Sequence, residues 1–251
     1  LGGPNDVVCT GIEEKMGIHG SATCSMNLGS SGKCMGFLIG EENKGMKVMF
    51  SLMNEARMGV AMQGQAVAGA AYAHALAHAK ERCQGKNLLE MLDPEAAPVP
   101  IIQHPDVRRM LLWMKSYVEG MRSLIYFTAD SLDVSEQDES ADEREKYKGF
   151  IEILTPILKC YCCEKSFEVC VQAMQVFGGY GYCRDYPIER LLRDCKIACI
   201  AEGTNGIQAM DLLGRKIIGN QGRSLSQLVQ EIRATADQTR NLEEVAGLAD
   251  K

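Results

Sequence analysis

Between Asn43 and Arg82 the residues Met46, Met49, Phe50, Met53, Val60 and Ala61 recur at i, i+3, i+4 and i+7, with Arg57 and Gly64 on the same stripe. That spacing predicts an amphipathic helix. The pattern continues through "AVAGAAYAHALAHAKER" with no proline before Pro94, so one helix of about 40 residues, about 60 Å long, is expected. Gly59, Gly64, Ala68, Gly69, Ala70 and Ala71 strip bulk from it. A helical glycine costs about 1 kcal/mol relative to alanine, which points to a backbone or a flat ligand in close approach. "KNLLEMLDPEAAPVPII" carries three prolines and reads as loop.

A second helix is predicted over 105–132, opened by "HPD" with Pro105 in its first turn. The run "DVSEQDESADEREKYK" reads as a solvated acidic linker, and a third long helix follows over 142–177, stopping at "GGYGYCRDYP". "IERLLRDCKIA" reads as a short helix, and another runs from "IAEGTNGIQ" to about Ile218. "SLSQLVQEIRATADQTRNLEEVAGLAD" is one more amphipathic segment. Residues 1–40 differ: short apolar runs broken by Gly, Ser and Thr are strand-and-loop chemistry, too little to close a sheet over its own core. The expected class is mostly α, an up-down four-helix bundle preceded by a short β remnant. Its segments are 1–42 (end of a β domain), 43–220 (helical bundle) and 221–251 (start of a helical extension).

At 251 residues, 46% apolar and 24% charged, the chain can bury a sizeable core. A net charge of −6 with no basic run argues against nucleic acid as the main partner. No apolar stretch reaches the roughly 20 residues of a membrane-spanning helix. The eleven cysteines show one C-x2-C spacing, Cys160–Cys163, with neither a partner pair nor a nearby histidine, so no metal is expected. With the 14 methionines they read as soft core filling in a reducing compartment.

Three stretches carry candidate chemistry. "QVFGGYGY" ends the third long helix: a C-cap accounts for one glycine well and three poorly, while Gln175 offers an amide to a flat polar ligand. Arg82 closes the first long helix, where it complements the dipole or meets a ligand. Arg57, midway along an apolar stripe, is costly to bury alone and calls for an anion. In "IAEGTNGIQ", residues 203–206 resemble a helix start with free N–H groups. Glu202 before it is either a surface N-terminal acid or a desolvated carboxylate suited to general-base work.

In order along the chain, "EEKMGIHGSATC", "GEENKGMKVMFSLMNEARMGVAMQG", "AYAHALAHAKERCQG", "IIQHPDVRRMLLWMK", "QVFGGYGYCRDYPIERLLRDCKI" and "AEGTNGIQAMDLLGRK" resemble the C-terminal half of an acyl-CoA dehydrogenase. "GEENKGM", "HPDVRRML" and "EGTNGIQAMDLLGRK" are similar to the larger bacterial subgroup with a C-terminal extension. The resemblance implies a piece of a flavoenzyme that converts an acyl-CoA to a trans-2-enoyl-CoA, with Glu202 as the α-proton base. It implies FAD contacts at Arg82, Gln84, His104, Pro105, Gln175, Val176, Phe177, Gly178, Gly179, Thr204, Asn205 and Gly206. Acyl-CoA contacts are implied at Asn54, Glu55, Ala56, Arg57 and Gly203. It further implies an electron-transferring flavoprotein as acceptor, a homodimer or homotetramer, and a bacterial cytoplasmic setting. Two departures stand out: Cys83-Gln84 where the family often has Lys-Thr, and Ala201 where it commonly has Tyr, which widens the pocket beside Glu202. The alternative reading is a non-catalytic helical oligomerisation module.

Overall fold

A computed structural model describes residues 5–240 and Leu242, with nothing described for the side chains of Lys47, Phe50 and Ser51. The predicted extension over 221–251 is therefore described only as far as Leu242. Two antiparallel strands, β1 (Val7–Ile12) and β2 (Cys24–Leu28), form a hairpin. Its residues are exposed throughout, as expected of a hairpin with no second layer.

Helix α1 runs over Gly45–Glu81, α2 over Pro105–Gln137 and α3 over Ala141–Phe177. The 82–104 loop turns the chain back through Ile101 N–H to Arg82 O at 2.8 Å and a bridge between Cys83 and Pro100. Helix α3 is the central element, packed against α1, α2 and the shorter α4 (Ile188–Lys196), α5 (Asn205–Met210) and α6 (Arg223–Thr239). The fourth wall of the bundle is thus built from short pieces. After α5 the chain continues as a π-helical segment, Asp211–Ile217.

The small residues of α1 serve helix packing. Ala61, Ala68, Ala71, Ala75 and Ala79 are fully buried at helical spacing, facing Cys162, Val169, Cys170 and Ala173 of α3 and Met110, Met114, Val118 and Met121 of α2. At Gly64 a Cβ would stand 3.0 Å from Ser166 Oγ and 3.3 Å from the Cys162 carbonyl. The close neighbour inferred from the sequence is the α3 backbone. A second cluster, Phe150, Ile153, Leu154 and Leu228, seats α6 on α3. There Gly149 is tight enough that a Cβ would meet Ser224 Oγ at 2.6 Å.

The acidic linker is corrected. Helix α2 extends to Gln137 and α3 begins at Ala141, leaving three residues between them. Ser140 Oγ accepts from Glu143 N–H at 3.4 Å, one half of an S-x-x-E capping box. Asp142 and Glu143 lie in the first turn of α3, where negative charge is favourable to the helix dipole. The cysteine reading is corrected in part. Cys162, Cys163, Cys170, Cys195 and Cys199 are buried filling, whereas Cys9, Cys24, Cys34, Cys83 and Cys183 are exposed. Burial pushes the Cys162 and Cys163 thiols up to about 12, so both stay protonated and unreactive. Among the described residues no three His, Cys, Asp or Glu side chains converge as metal ligands, and no helix is long and apolar enough to cross a membrane.

Candidate active site

The helix ends meet in a cavity of about 550 Å³ lined by Arg82, Gln84, Gln175, Val176, Phe177, Gly178 and Gly179, together with His78, Ile101, Tyr180 and Cys183. Residues far apart in sequence converge here because α1 and α3 pack side by side and end at the same level. Arg82 is the C-cap of α1 and its guanidinium lies 5.2 Å from the centre of the Tyr180 ring, a cation–π contact that turns it into the cavity. The Phe177 ring stacks on His78 at 4.2 Å. Burial, then the neighbouring Arg82 charge, lowers the His78 pKa below its usual value, so the ring is neutral near pH 7.

Gly178 has φ +61, and neither it nor Gly179 would bring a Cβ within 4 Å of another atom. A side chain there would fill open cavity rather than protein. His104 is outside this lining but braces it: its Nε2 is 2.7 Å from the Gln84 carbonyl. Pro105 opens α2 immediately after it.

A second group of site residues forms the turn 202–206. Glu202 has φ +55 and Gly203 φ +91, two successive left-handed residues, the first of them unfavourable for a side-chain-bearing residue. The turn is held from several sides. Gln208 Nε2 donates to the carbonyls of Glu202 (3.1 Å) and Gly203 (3.3 Å), and Lys159 Nζ donates to the Gly203 carbonyl at 2.6 Å. A Cβ on Gly203 would strike Gln208 Nε2 at 2.8 Å. Thr204 caps α5 through Oγ1, which accepts from Ile207 N–H at 3.4 Å. Asn205 Nδ2 donates to Glu164 at 2.6 Å, so that amide nitrogen is already engaged. The Glu202 N–H donates to nothing among the described residues.

Several expectations take a different form. Glu202 is exposed, so the desolvated setting raised as one option is not created by the residues described. It is also absent from the walls of the Arg82–Gln175 cavity. Residues 54–57 do not share one site, because consecutive helical residues point about 100° apart. Asn54 and Arg57, three apart, line a polar cavity of about 430 Å³ with Glu152, Asp211, Arg215 and Lys216. Glu55 and Ala56 border an apolar groove of about 600 Å³ with Leu52, Met58, Met62, Ile125 and Leu158. Arg57 does meet an anion, but one supplied by the protein: Nη1 pairs with Asp211 Oδ2 at 2.8 Å, both residues being almost wholly buried. Arg215 holds the other Asp211 oxygen at 2.7 Å.

Lys159, Gln208, Asp211, His78 and Tyr180 join these two groups without being singled out by a sequence motif. Lys159 had a signal: it is the only charge in "ILTPILKCYCC", residues 153–163. His78 lies four residues before Arg82, on the same helical face.

The fold and this arrangement of helix ends define an acyl-CoA dehydrogenase C-terminal domain, whose family description, "Acyl-CoA dehydrogenase, C-terminal domain", matches residues 43–218. The chain belongs to the acyl-CoA dehydrogenase family. A butyryl-CoA dehydrogenase of Syntrophomonas wolfei is 41% identical over 237 residues, 92% of this chain and 38% of that protein. The 3-methylmercaptopropionyl-CoA dehydrogenase of Ruegeria pomeroyi is 40% identical, over 92% of this chain and 38% of its own length. The chain thus spans well under half of these relatives. Among solved structures, the butyryl-CoA dehydrogenase of Megasphaera elsdenii superimposes with a TM-score of 0.65 at 30% identity, over 83% of this chain and 48% of that one. Caenorhabditis elegans ACDH-11, solved with C11-CoA, shares the fold over 96% of this chain and 37% of its own, with a TM-score of 0.81 at 21% identity.

Proposed function

We propose that this chain carries the base and part of the cofactor wall of an enzyme that dehydrogenates an acyl-CoA between its α and β carbons, giving a trans-2-enoyl-CoA. The observation that carries the reading is the Glu202–Gly203 turn. A carboxylate with no hydrogen bond or ion pair of its own among the described residues projects from a left-handed backbone, beside an N–H that donates to nothing. Glu202 takes the α proton. Its own N–H is free to bind the thioester oxygen, where negative charge develops as the proton leaves. Desolvation of the carboxylate then falls to the bound substrate and to protein outside this chain.

The 550 Å³ cavity fits FAD by its donor set. Arg82 offers a cation, Gln175 an amide, and Gly178 and Gly179 leave room where a Cβ would stand. His104 holds the Gln84 backbone in place. When bound, the flavin accepts the two electrons that leave the β carbon as hydride. The protein's share is to bind, orient and take the proton. For Thr204, Asn205 and Gly206 a flavin contact stands as part of the same proposal, at Asn205 by way of the backbone, since its amide nitrogen is held by Glu164 and its Oδ1 is buried. Asn54, beside Arg57 and Lys216 in a polar cavity, is assigned to the CoA portion. An electron-transferring flavoprotein is the proposed electron acceptor.

The apolar groove between α1 and α2, with Leu52 and Met62 both more than half exposed, favours a second role in self-association, which accompanies the catalytic one in this reading. The test is anaerobic titration of the full-length flavoprotein with short, medium, branched and aromatic acyl-CoAs, following loss of the flavin's visible absorbance. Rapid bleaching by at least one member is expected, and bleaching by none would remove the dehydrogenase reading.

A further inference from the structure

We propose that Lys159 is a positioning residue for the catalytic turn. It is the buried cation that fixes where Glu202 stands. The inference rests on Glu202 being the base and adds a residue, 44 positions away in the chain, on which that base depends.

Lys159 is fully buried near the middle of α3. It forms no ion pair among the described residues, and its one hydrogen bond runs to the Gly203 carbonyl at 2.6 Å. A buried ammonium facing a neutral carbonyl is a poor way to stabilise a fold, because its desolvation is only partly offset by a dipole. An apolar side chain of the same length would suit this helix better: Leu158, Cys162 and Cys163 around it are buried and apolar. The charge is instead aimed at a turn whose backbone is strained, with Glu202 at φ +55 followed by Gly203 at φ +91. A left-handed non-glycine residue persists only where its surroundings hold it. Gln208 supplies part of that hold from α5, downstream of the turn. Lys159 supplies more of it from α3, the element on which the bundle is centred, and with the Asn205–Glu164 bond it ties the turn to the rigid part of the fold.

The geometry separates this role from a structural one. Replacing Lys159 by Met removes the charge and the donor but leaves no orphaned acceptor, since Gln208 Nε2 still reaches the Gly203 carbonyl. The fold loses a costly buried ion and keeps its packing, while the turn loses its anchor to α3 at Gly203 and keeps only the one at Asn205. Misplacing a reacting group by about 1 Å can cost on the order of a hundredfold in rate.

The experiment uses the full-length flavoprotein and stopped-flow flavin reduction by the best acyl-CoA of the panel, comparing wild type, Lys159→Met, Lys159→Gln and Glu202→Gln. Lys159→Met is expected to lower the limiting reduction rate about ten- to a hundredfold. FAD content and unfolding midpoint should be unchanged or higher, and the substrate concentration for half-maximal rate within about threefold of wild type. Lys159→Gln, which keeps an N–H donor, should fall between the two. A wild-type rate in Lys159→Met beside a dead Glu202→Gln overturns this proposal and leaves the base assignment standing. An active Glu202→Gln removes the base assignment, and this proposal with it. Loss of folding or FAD in both lysine variants makes Lys159 a structural residue and overturns the proposal. If Met alone fails to fold, a slow, folded Lys159→Gln supports it.

Discussion

Glu202→Gln in the full-length enzyme should lower the rate of flavin reduction by acyl-CoA about 10²- to 10⁴-fold, the range removed with a positioned general base, while leaving FAD and acyl-CoA bound. The substitution keeps the shape of the side chain and the left-handed turn, because the holding contacts at this turn are made to backbone carbonyls, not to the carboxylate. The amide cannot accept the α proton. Stopped-flow absorbance at saturating substrate gives the rate, and equilibrium binding of the unreacted acyl-CoA gives the affinity. A fall in rate with affinity held is the signature of an interaction made in the transition state alone. A fall in affinity with an unchanged limiting rate would place Glu202 among the substrate contacts instead.

The largest expected effect on stability lies at the buried ion pair. Asp211→Leu strands the Arg57 guanidinium, which is 4% exposed and whose Nε already lacks a partner. Breaking a buried pair from one side typically costs about 3–5 kcal/mol. Arg57→Met should cost less, because Asp211 keeps Arg215, whose side chain reaches solvent. The double variant Arg57→Met/Asp211→Leu should recover much of the loss, since no buried charge then remains unpaired. Urea unfolding of the four proteins measures this. Equal costs for the two single variants, with no recovery in the double, would contradict the asymmetry. The same pair joins α1 to the π-helical segment that follows the Glu202 turn and α5, so under the proposed function its loss should also slow flavin reduction.

The long helices were legible because their signals are local. Apolar spacing marks α1 to within a few residues, the glycine run from Gly178 marks the end of α3, and Pro105 marks the first residue of α2 in both sequence and structure. The acidic stretch was misread because its charge count hid a cap: Ser140 and Glu143 in S-x-x-E spacing start α3. The cavity lined by Arg82, Gln175 and the 178–179 glycines could be anticipated, since each of those residues is conspicuous where it stands. The hold on the Glu202 turn could not. Lys159 and Gly203 are 44 residues apart, and Arg57 and Asp211 are 154 apart, so only the packing of the helices shows which groups meet. Residues 54–57, contiguous in sequence, are divided by helix geometry between two cavities.

In the proposed reaction, proton removal by Glu202 can be watched apart from oxidation. An acyl-CoA analogue with sulfur or oxygen in place of the β carbon has no β hydride to lose but keeps its α protons. In D2O the full-length wild-type enzyme should exchange those protons for deuterium, followed by NMR or mass spectrometry, and Glu202→Gln should reduce the enzyme-dependent exchange to background. Exchange at the wild-type rate in Glu202→Gln would show that another group takes the proton.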